Sequence, residues 1–159
     1  MNSRRLEAEA VRDNLLFVCG DLDLAMGGPD IDHNLGLTSK RRSLYLRIAA
    51  EKEVEFLKIF DGPAVTECYE RRPSVMPQQA LALANSELAF AEARRLAKQL
   101  ATDDDVAFVR AAFSQVLARK PTPEETRLGQ DFLGGGAKDR ARENFVLVLL
   151  NHNDFVTVR

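Results

Sequence analysis

The feature that most constrains the fold is a run rich in alanine and leucine over residues 77–100. Its apolar residues recur at helical spacing on two faces, which carry Leu81, Ala84, Leu88 and Ala91 and, on the other side, Leu83, Phe90, Ala93 and Ala97. Pro77 suits a helix start, because the N–H that proline lacks would have no intrahelical partner there. A helix that is apolar on two sides is usually buried between other elements. We therefore predict a single long helix over 77–100 at the centre of a helical core.

Similar apolar spacing, together with start and stop signals, predicts helices on both sides of this run. Three of the predicted helices cover residues 3–22, 53–60 and 138–151. A fourth follows an N-cap at Thr102. A fifth starts with the capping box of Thr122, Pro123 and Glu125 and stops at glycines 134–136. In a capping box each of the two side chains accepts a hydrogen bond from the other residue's backbone N–H. We expect a compact single domain of about five to six helices over residues 1–159, a length that can enclose one core.

One segment alternates like a strand. Over residues 42–48 the side chains of Leu44, Leu46 and Ile48 share one side, which favours a short half-buried strand. A single strand cannot form a sheet, so we expect a partner in the loop 28–37 or in a part of the parent protein outside this chain. The expected fold class is therefore mostly α, with one short β-strand or hairpin.

Charge and hydropathy argue against two classes of function. The 159 residues include 22 basic and 24 acidic side chains, for a net charge of −2, so no overall positive field attracts a polyanion. Apolar runs such as residues 145–150 are far shorter than the roughly 20 residues of a membrane-spanning helix. Glu7 and Glu9 interrupt the stretch that would be the apolar core of a secretory signal. We predict no nucleic-acid partner and no membrane insertion.

The cysteine pattern does not indicate a cofactor. The chain lacks the Cys-x-x-Cys-His motif of covalent haem attachment, and Cys19 and Cys68 match no metal-ligand spacing. Cys19 lies in an apolar predicted helix, so we expect it to be a small buried hydrophobic residue. Cys68 is expected to be more exposed, and the two could pair only if the fold brings them together. We expect no cofactor.

One loop begins like a calcium-binding loop. Asp30, Asp32 and Asn34 place oxygen ligands at alternate positions. The match then fails, because Leu35 stands where the turn needs glycine and Arg41 stands where a bidentate glutamate belongs. Asp and Asn in such a loop usually serve turn chemistry. We predict that no metal binds tightly here.

The sequence contains no recognisable catalytic constellation, since His33 and His152 are its only histidines and no nucleophile-elbow motif surrounds a serine. Six polar residues are candidates for a partner surface or a site: Arg42, Tyr45, Arg72, Gln79, Asn85 and Asn151. The alternative is structural, because buried polar groups usually satisfy loop carbonyls. We expect Gln79 and Asn85 in particular to be structural and to bond residues 61–76.

Several short motifs follow one another in a specific order along the chain. They are residues 4–10 with Arg12 and Asp13, 26–29, 42–46, Phe60 and Asp61 with Pro63, Cys68 and Arg72 ahead of 77–85, 117–119, 121–125, and 149–151 with Asn153 and Phe155. Taken together they resemble the C-terminal part of a large bacterial family of unknown function. That family is found in planctomycete-type proteins that often also carry cytochrome-c-like modules.

The resemblance implies that the parent protein is exported, to the periplasm or the medium, and that the family domain extends upstream of this chain. It supplies no accepted catalytic residues. We therefore expect a non-catalytic interaction or scaffolding domain, whose partner is the upstream part of the parent protein or another copy of the chain. The alternative is part of an enzyme, such as a hydrolase of complex substrates, completed by upstream residues. Where the upstream part of the family domain would pack, we expect this chain to expose an apolar patch, at Leu6, at Phe17 and along residues 44–48.

Overall fold

The structure, a computed structural model, describes residues 4–47 and 77–158, with Ala49, Val54, Leu57, Ile59 and Phe60 between them. The α-helices of these residues are α1 Ala8–Val18, α2 Pro77–Asn85, α3 Glu87–Gln99, α4 Asp105–Leu117, α5 Pro123–Leu133, α6 Lys138–Leu150 and α7 Asn153–Val156. Short 3-10 helices span His33–Leu35 and Ser43–Tyr45. The expected, mostly helical fold class is confirmed. Most of the predicted helix 53–60 lies outside the described residues, although Leu57 and Ile59 are helical.

The core is built around α3, α4, α5 and α6. α3 packs most extensively on α6, while α4, α5 and α6 each contact the other two. Phe145 of α6 is the common neighbour of three aromatic rings, at centroid distances of 6.2 Å to Phe108, 6.3 Å to Phe113 and 6.1 Å to Phe132. The rings are tilted, an arrangement that brings the positive edge of one ring towards the negative face of another. No helix within the described part of the chain combines the length and apolarity needed to cross a membrane.

The predicted single helix over 77–100 is wrong, because the structure has two helices there. Ser86 separates α2 from α3 and has an extended backbone, with φ −73° and ψ 126°. Ser86 is the N-cap residue of α3, although its hydroxyl makes no capping hydrogen bond. Glu87 adds a negative charge in the first turn, where the helix dipole favours it. The alanine-rich apolar spacing continues through the break and therefore hides it.

The predicted N-cap at Thr102 is also wrong. Asp104 caps α4, and its carboxylate accepts hydrogen bonds from the N–H groups of Val106 at 2.9 Å and Ala107 at 3.2 Å. The carbonyl of Thr102 instead accepts a hydrogen bond from the buried Arg142 at 2.6 Å. Threonine and aspartate both favour the N-cap position, so the sequence alone does not decide between Thr102 and Asp104. In the structure the backbone of Thr102 is engaged by Arg142, and Asp104 is the cap.

The predicted capping box is confirmed. Glu125 N–H donates to the Thr122 hydroxyl at 3.2 Å, and Thr122 N–H donates to the Glu125 carboxylate at 2.7 Å. Arg119 also donates to that carboxylate, and this hydrogen bond is the main cause that lowers the pKa of Glu125 to about 2. The helix ends at Leu133, as predicted from the glycines that follow.

The predicted strand over 42–48 is wrong, since Ser43–Tyr45 is a 3-10 helix. Leu46 forms only an isolated parallel bridge with Ile31, which lies in the loop where a partner was expected. Ile48 lies outside the described residues. The paired strands are instead β1 Arg4–Arg5 and β2 Thr157–Val158, which are antiparallel and have Arg4 opposite Val158. Strands of two residues have too little alternation for sequence patterns to reveal. The first helix therefore begins at Ala8 rather than at residue 3.

Arg12 of α1 is completely buried and holds the loop 36–43 in place. Its guanidinium donates to the carbonyl of Gly36 at 2.7 Å, to the carbonyl of Arg41 at 3.0 Å, to the Ser43 hydroxyl at 3.1 Å and to the carbonyl of Ser39. Burial lowers the pKa of Arg12, and the nearby charge of Asp13 opposes this shift. The planar fork of an arginine can reach several acceptors at once.

We expect Arg12→Ala to lower the free energy of unfolding by about 3 kcal/mol, because buried carbonyls would lose their donor. Arg12→Lys should lose about 2 kcal/mol, since one ammonium cannot replace the fork. Urea unfolding measures both losses. The exposed Arg110→Ala is the control and should stay within about 0.5 kcal/mol of wild type. Wild-type stability of the lysine variant would contradict this role for the guanidinium.

Helix α5 approaches α4 closely at Gly129. A Cβ atom there would lie 2.8 Å from Cγ2 of Val109 and 3.3 Å from Cε2 of Phe145. Val109 is fully buried, and a valine in a helix has essentially one χ1 rotamer. The contact therefore cannot be relieved by rotating the valine.

We expect Gly129→Ala to lower the free energy of unfolding by about 1 kcal/mol. Alanine gains about 1 kcal/mol in helix propensity, but overpacking at such a contact costs about 1–3 kcal/mol. Gly134→Ala is the control, because its φ is −71° and no atom would lie closer than 3.6 Å to its Cβ. Thermal denaturation should show that only Gly129→Ala is destabilised. A stabilised Gly129→Ala would show that Val109 yields easily.

Candidate functional site

A groove of about 600 Å³ runs along the outer side of α1, and we call it the α1 groove. Phe17, Leu24 and Leu44 line it, and each of these large apolar side chains is 57–61% exposed. Phe17 projects from α1 away from the buried Val11 and Leu15. Leu44 lies in the second 3-10 helix, while its neighbour Leu46 is buried in the core. Two elements therefore expose apolar side chains on one surface.

The expected apolar patch is thus present in part. Phe17 and Leu44 are exposed as predicted. Leu6 is only partly exposed, because it packs against the core and its N–H donates to the carbonyl of Val156 at 2.8 Å. Leu24, which was not predicted, takes its place in the patch.

Asp13 fixes the polar edge of the α1 groove. Its carboxylate accepts hydrogen bonds from the Ser43 N–H at 2.7 Å and from the Ser43 hydroxyl at 2.6 Å. The other carboxylate oxygen lies 3.7 Å from Nε of Arg42, whose side chain is about half exposed. The structure therefore places Arg42, one of the six polar candidates, on the edge of this groove.

The other described candidates lie in different surroundings. The Tyr45 hydroxyl accepts a hydrogen bond from Gly27 N–H at 2.8 Å, and the Arg41 guanidinium lies 4.1 Å from the centre of its ring. Asn151 is the C-cap residue of α6, and its side chain donates to the carbonyl of Leu147 at 2.8 Å. Tyr45 and Asn151 therefore stabilise a loop and a helix end respectively, through different partners.

The candidates of α2 also differ from each other. Gln79 is almost completely buried, whereas Asn85 is exposed at the end of the helix. Arg72 lies outside the described residues, as do the residues 61–76 that Gln79 and Asn85 were expected to bond. Arg42, Tyr45 and Asn151 make their hydrogen bonds and ion pairs with different residues, so the structure does not join these three into one site.

The loop with the calcium-like start uses its carboxylates for local structure. The Asp32 side chain caps the first 3-10 helix and accepts from Asn34 N–H at 2.9 Å. Asp30 forms an ion pair with Arg47, and the hydrogen bond from Arg47 is the main cause that lowers the pKa of Asp30. Among the residues that the structure describes, no three His, Cys, Asp or Glu side chains lie together in a way that could hold a metal.

A second site, which the sequence analysis missed, lies in a cleft of about 480 Å³ that we call the acid cleft. Asp21, which follows α1, and Glu92 of α3 share a hydrogen bond there. Lys40 lies 2.8 Å from one Asp21 oxygen and Arg95 lies 2.5 Å from the other. Glu92 is only 5% exposed. The cleft thus contains a pair of carboxyl groups, both largely buried, beside two cations.

The two carboxyl groups differ in proton affinity. Burial is the main cause that raises the pKa of Glu92 to about 7, and the charge of Asp21 adds to it. For Asp21 partial burial acts in the same direction, but hydrogen bonds from Lys40 and Glu92 and the charge of Arg95 outweigh it and lower its pKa. Of the two carboxyl groups, Glu92 is therefore the one that retains a proton more strongly. The neighbouring Cys19 is buried as predicted, and burial raises the pKa of its thiol to about 12.

A sequence signal for Glu92 does exist. Glu92 lies four residues after Leu88 and four before Leu96, so it belongs to the buried stripe of α3. A carboxylate on such a stripe is costly to bury without a partner. The search for motifs with named spacings did not reveal it, because its partner Asp21 is 71 residues away in the chain.

The raised pKa of Glu92 predicts a pH dependence of stability. A carboxyl whose folded-state pKa is raised contributes stability below its ordinary pKa, and this contribution is lost as the pH rises through about 7. Glu92→Gln, which stays neutral, should therefore raise the free energy of unfolding by about 1–2 kcal/mol at pH 8 and change it little at pH 5. Urea unfolding at both pH values tests this.

The control is Glu87→Gln, an exposed glutamate on the same helix and the same cleft. It should not be stabilised at pH 8 relative to pH 5. An equal effect of Glu92→Gln at both pH values would show that Glu92 is ionised throughout.

Comparison with known proteins gives one match. The sequence profile of the PSD1 family, described as "Protein of unknown function (DUF1553)", matches residues 1–133, which include both the α1 groove and the acid cleft. Neither a curated protein nor a solved structure matches the chain significantly. The match covers most of the chain and confirms the expected membership of a family of unknown function. The chain belongs to the PSD1 family of proteins of unknown function, DUF1553.

Proposed function

We propose that this chain is an interaction domain and that the α1 groove is its docking surface. The observation that supports this most directly is the exposure of Phe17, Leu24 and Leu44 on one surface. Burying apolar area is worth about 25 cal/mol per Å², and contiguous exposed apolar patches often mark docking sites. Covering these three side chains would supply the main driving force for docking.

The proposed occupant is an amphipathic helix with basic flanks. The groove follows α1 for about three turns, from Glu7 to Phe17, and an elongated apolar groove suits a helix that inserts one face. Its lining contains three carboxylates, those of Glu7, Glu9 and Asp13, against the single guanidinium of Arg42. Complementary charge on the occupant would fix its orientation.

In this proposal the helix belongs to the part of the parent protein that precedes this chain. The chain then acts as a scaffolding domain inside a larger bacterial protein, exported to the periplasm or the medium and associated with cytochrome-c-like modules. These last features come from the family resemblance. A second copy of the chain is the competing occupant, which the following experiment distinguishes.

Photo-cross-linking in the longer parent protein tests the proposal. A benzophenone amino acid at position 24 should cross-link to the preceding segment of the same polypeptide, as mass spectrometry would show. The same label at position 128 is the control, because Leu128 is similarly exposed but lies on α5. Phe17→Ser should strongly reduce cross-linking from position 24 without lowering the melting temperature of the chain alone, since Phe17 is exposed.

Three outcomes would contradict the proposal. Cross-links between two copies would identify self-association as the use of the groove. Equal cross-linking from positions 24 and 128 would show that the contact is unspecific. A position 24 label that captures nothing would show that the groove stays open to solvent.

A further inference from the structure

A third surface, a cleft of about 650 Å³ between α4 and α5, is lined by basic and neutral polar side chains, and we call it the α4–α5 cleft. Arg110 and Ser114 line it from α4, where they lie one turn apart. Thr126 and Gln130 line it from α5 with the same spacing, and Lys120 lines it from the connection between the two helices. No Asp or Glu is among the described residues of this lining. The cleft is therefore a basic surface on a chain whose net charge is −2.

The basic side chains of the cleft differ in their partners. Arg127 also lines it, but forms ion pairs with Glu124 at 2.7 Å and with Asp131 at 3.1 Å. Within the described parts of the chain, the exposed side chains of Arg110 and Lys120 form neither an ion pair nor a hydrogen bond. Two cations of the cleft thus remain available to an anionic partner.

The two unpaired cations lie at different levels of the cleft. Gly129 of α5 packs beside Val109 of α4, and helices joined by a connection as short as 118–122 are usually antiparallel neighbours. Arg110 comes seven residues before Leu117, the end of α4, which is about 10 Å along the helix axis. Lys120 follows that end. A partner that contacts both cations therefore needs two anionic groups roughly 10 Å apart.

Neutral groups that both donate and accept hydrogen bonds complete the cleft. The Ser114 hydroxyl and the Gln130 amide have no hydrogen-bond partner among the described residues. A hydroxyl and a primary amide can each donate and accept. The backbone of a peptide offers one N–H and one C=O per residue, so these two side chains match a peptide backbone.

A peptide also fits the spacing of the charges. A single exposed ion pair contributes little to binding, so one small anion gains little here. In a polyproline II segment, residues three apart lie on the same face and about 9 Å from each other. Such a segment therefore presents two carboxylates at the required separation and leaves its backbone free to form hydrogen bonds.

We propose that the α4–α5 cleft binds an extended acidic segment of a partner protein, with two carboxylates three residues apart. One carboxylate pairs with Arg110 and the other with Lys120, while the backbone between them forms hydrogen bonds with Ser114 and Gln130. This binding is separate from docking at the α1 groove, whose acidic lining favours a basic occupant. Each proposal can therefore fail without the other.

Three peptides with blocked ends, which carry no terminal charges, test the charge and its spacing. The probe is Gly-Asp-Ala-Ala-Asp-Gly, and we expect it to shift the amide NMR signals of Ser114 and Gln130 in a saturable way. Gly-Asp-Asp-Ala-Ala-Gly has the same composition but adjacent carboxylates, and it should bind about threefold more weakly because it loses one exposed ion pair. Gly-Asn-Ala-Ala-Asn-Gly should bind about tenfold more weakly, since it loses both.

Variants locate the binding. Arg110→Gln and Lys120→Gln should each weaken binding of the probe about threefold, the strength of one exposed ion pair. Arg140→Gln is the matched control, because it removes an exposed cation of α6 that does not line the cleft. The double variant Arg110→Glu, Lys120→Glu should reject the probe and bind Gly-Lys-Ala-Ala-Lys-Gly instead, a reversal that a loss of folding cannot produce.

Four outcomes would overturn the proposal. Equal binding of the two Asp peptides would show that spacing is not recognised. An equal loss in Arg140→Gln and Arg110→Gln would show that only the overall charge acts. Acetate that binds as tightly as the probe would assign the cleft to a single small anion. A probe that shifts no signal would show that the cations of the cleft are simply solvated.

Discussion

The buried guanidinium of Arg12 is the interaction on which both surfaces depend. Its four hydrogen bonds fix the loop 36–43 against α1. The beginning of this loop contributes Leu37 and Lys40 to the acid cleft, and its end places Arg42 at the α1 groove. A single side chain therefore sets the geometry of two sites on different sides of the same helix. Removing it would disturb both at once, even though Arg12 itself lines neither.

The α1 groove and the acid cleft differ in their physical chemistry. The α1 groove exposes large apolar side chains, so water is a poor solvent for it and an apolar partner is favoured. In the acid cleft the charge of Asp21 adds to burial in raising the pKa of Glu92, because two ionised carboxylates that lie side by side repel each other. Lys40 and Arg95 then compensate the remaining charge.

Local signals were predictable from the sequence, and tertiary ones were not. The capping box of Thr122 and Glu125 was found because both partners lie within one turn. The break at Ser86 was missed because apolar spacing continues through it. The strand pair was missed because its two strands lie more than 150 residues apart and are too short to alternate. In the site, Phe17 was predicted to be exposed from its helical face. The pairing of Asp21 with Glu92 depends on how α1 packs against α3, which no local pattern encodes.

The pairing of β1 with β2 has a mechanical consequence. Arg4 lies opposite Val158, so the polypeptide on either side of residues 4–158 continues from the same end of the ladder. Tension applied through these two flanks would break the hydrogen bonds between β1 and β2 one after another. It would next reach the hydrogen bond from the Leu6 N–H to the Val156 carbonyl. The aromatic cluster around Phe145 would bear no load until this ladder had opened. A protein pulled at both flanks would thus open first at the β1–β2 pair, while its helical core stays folded.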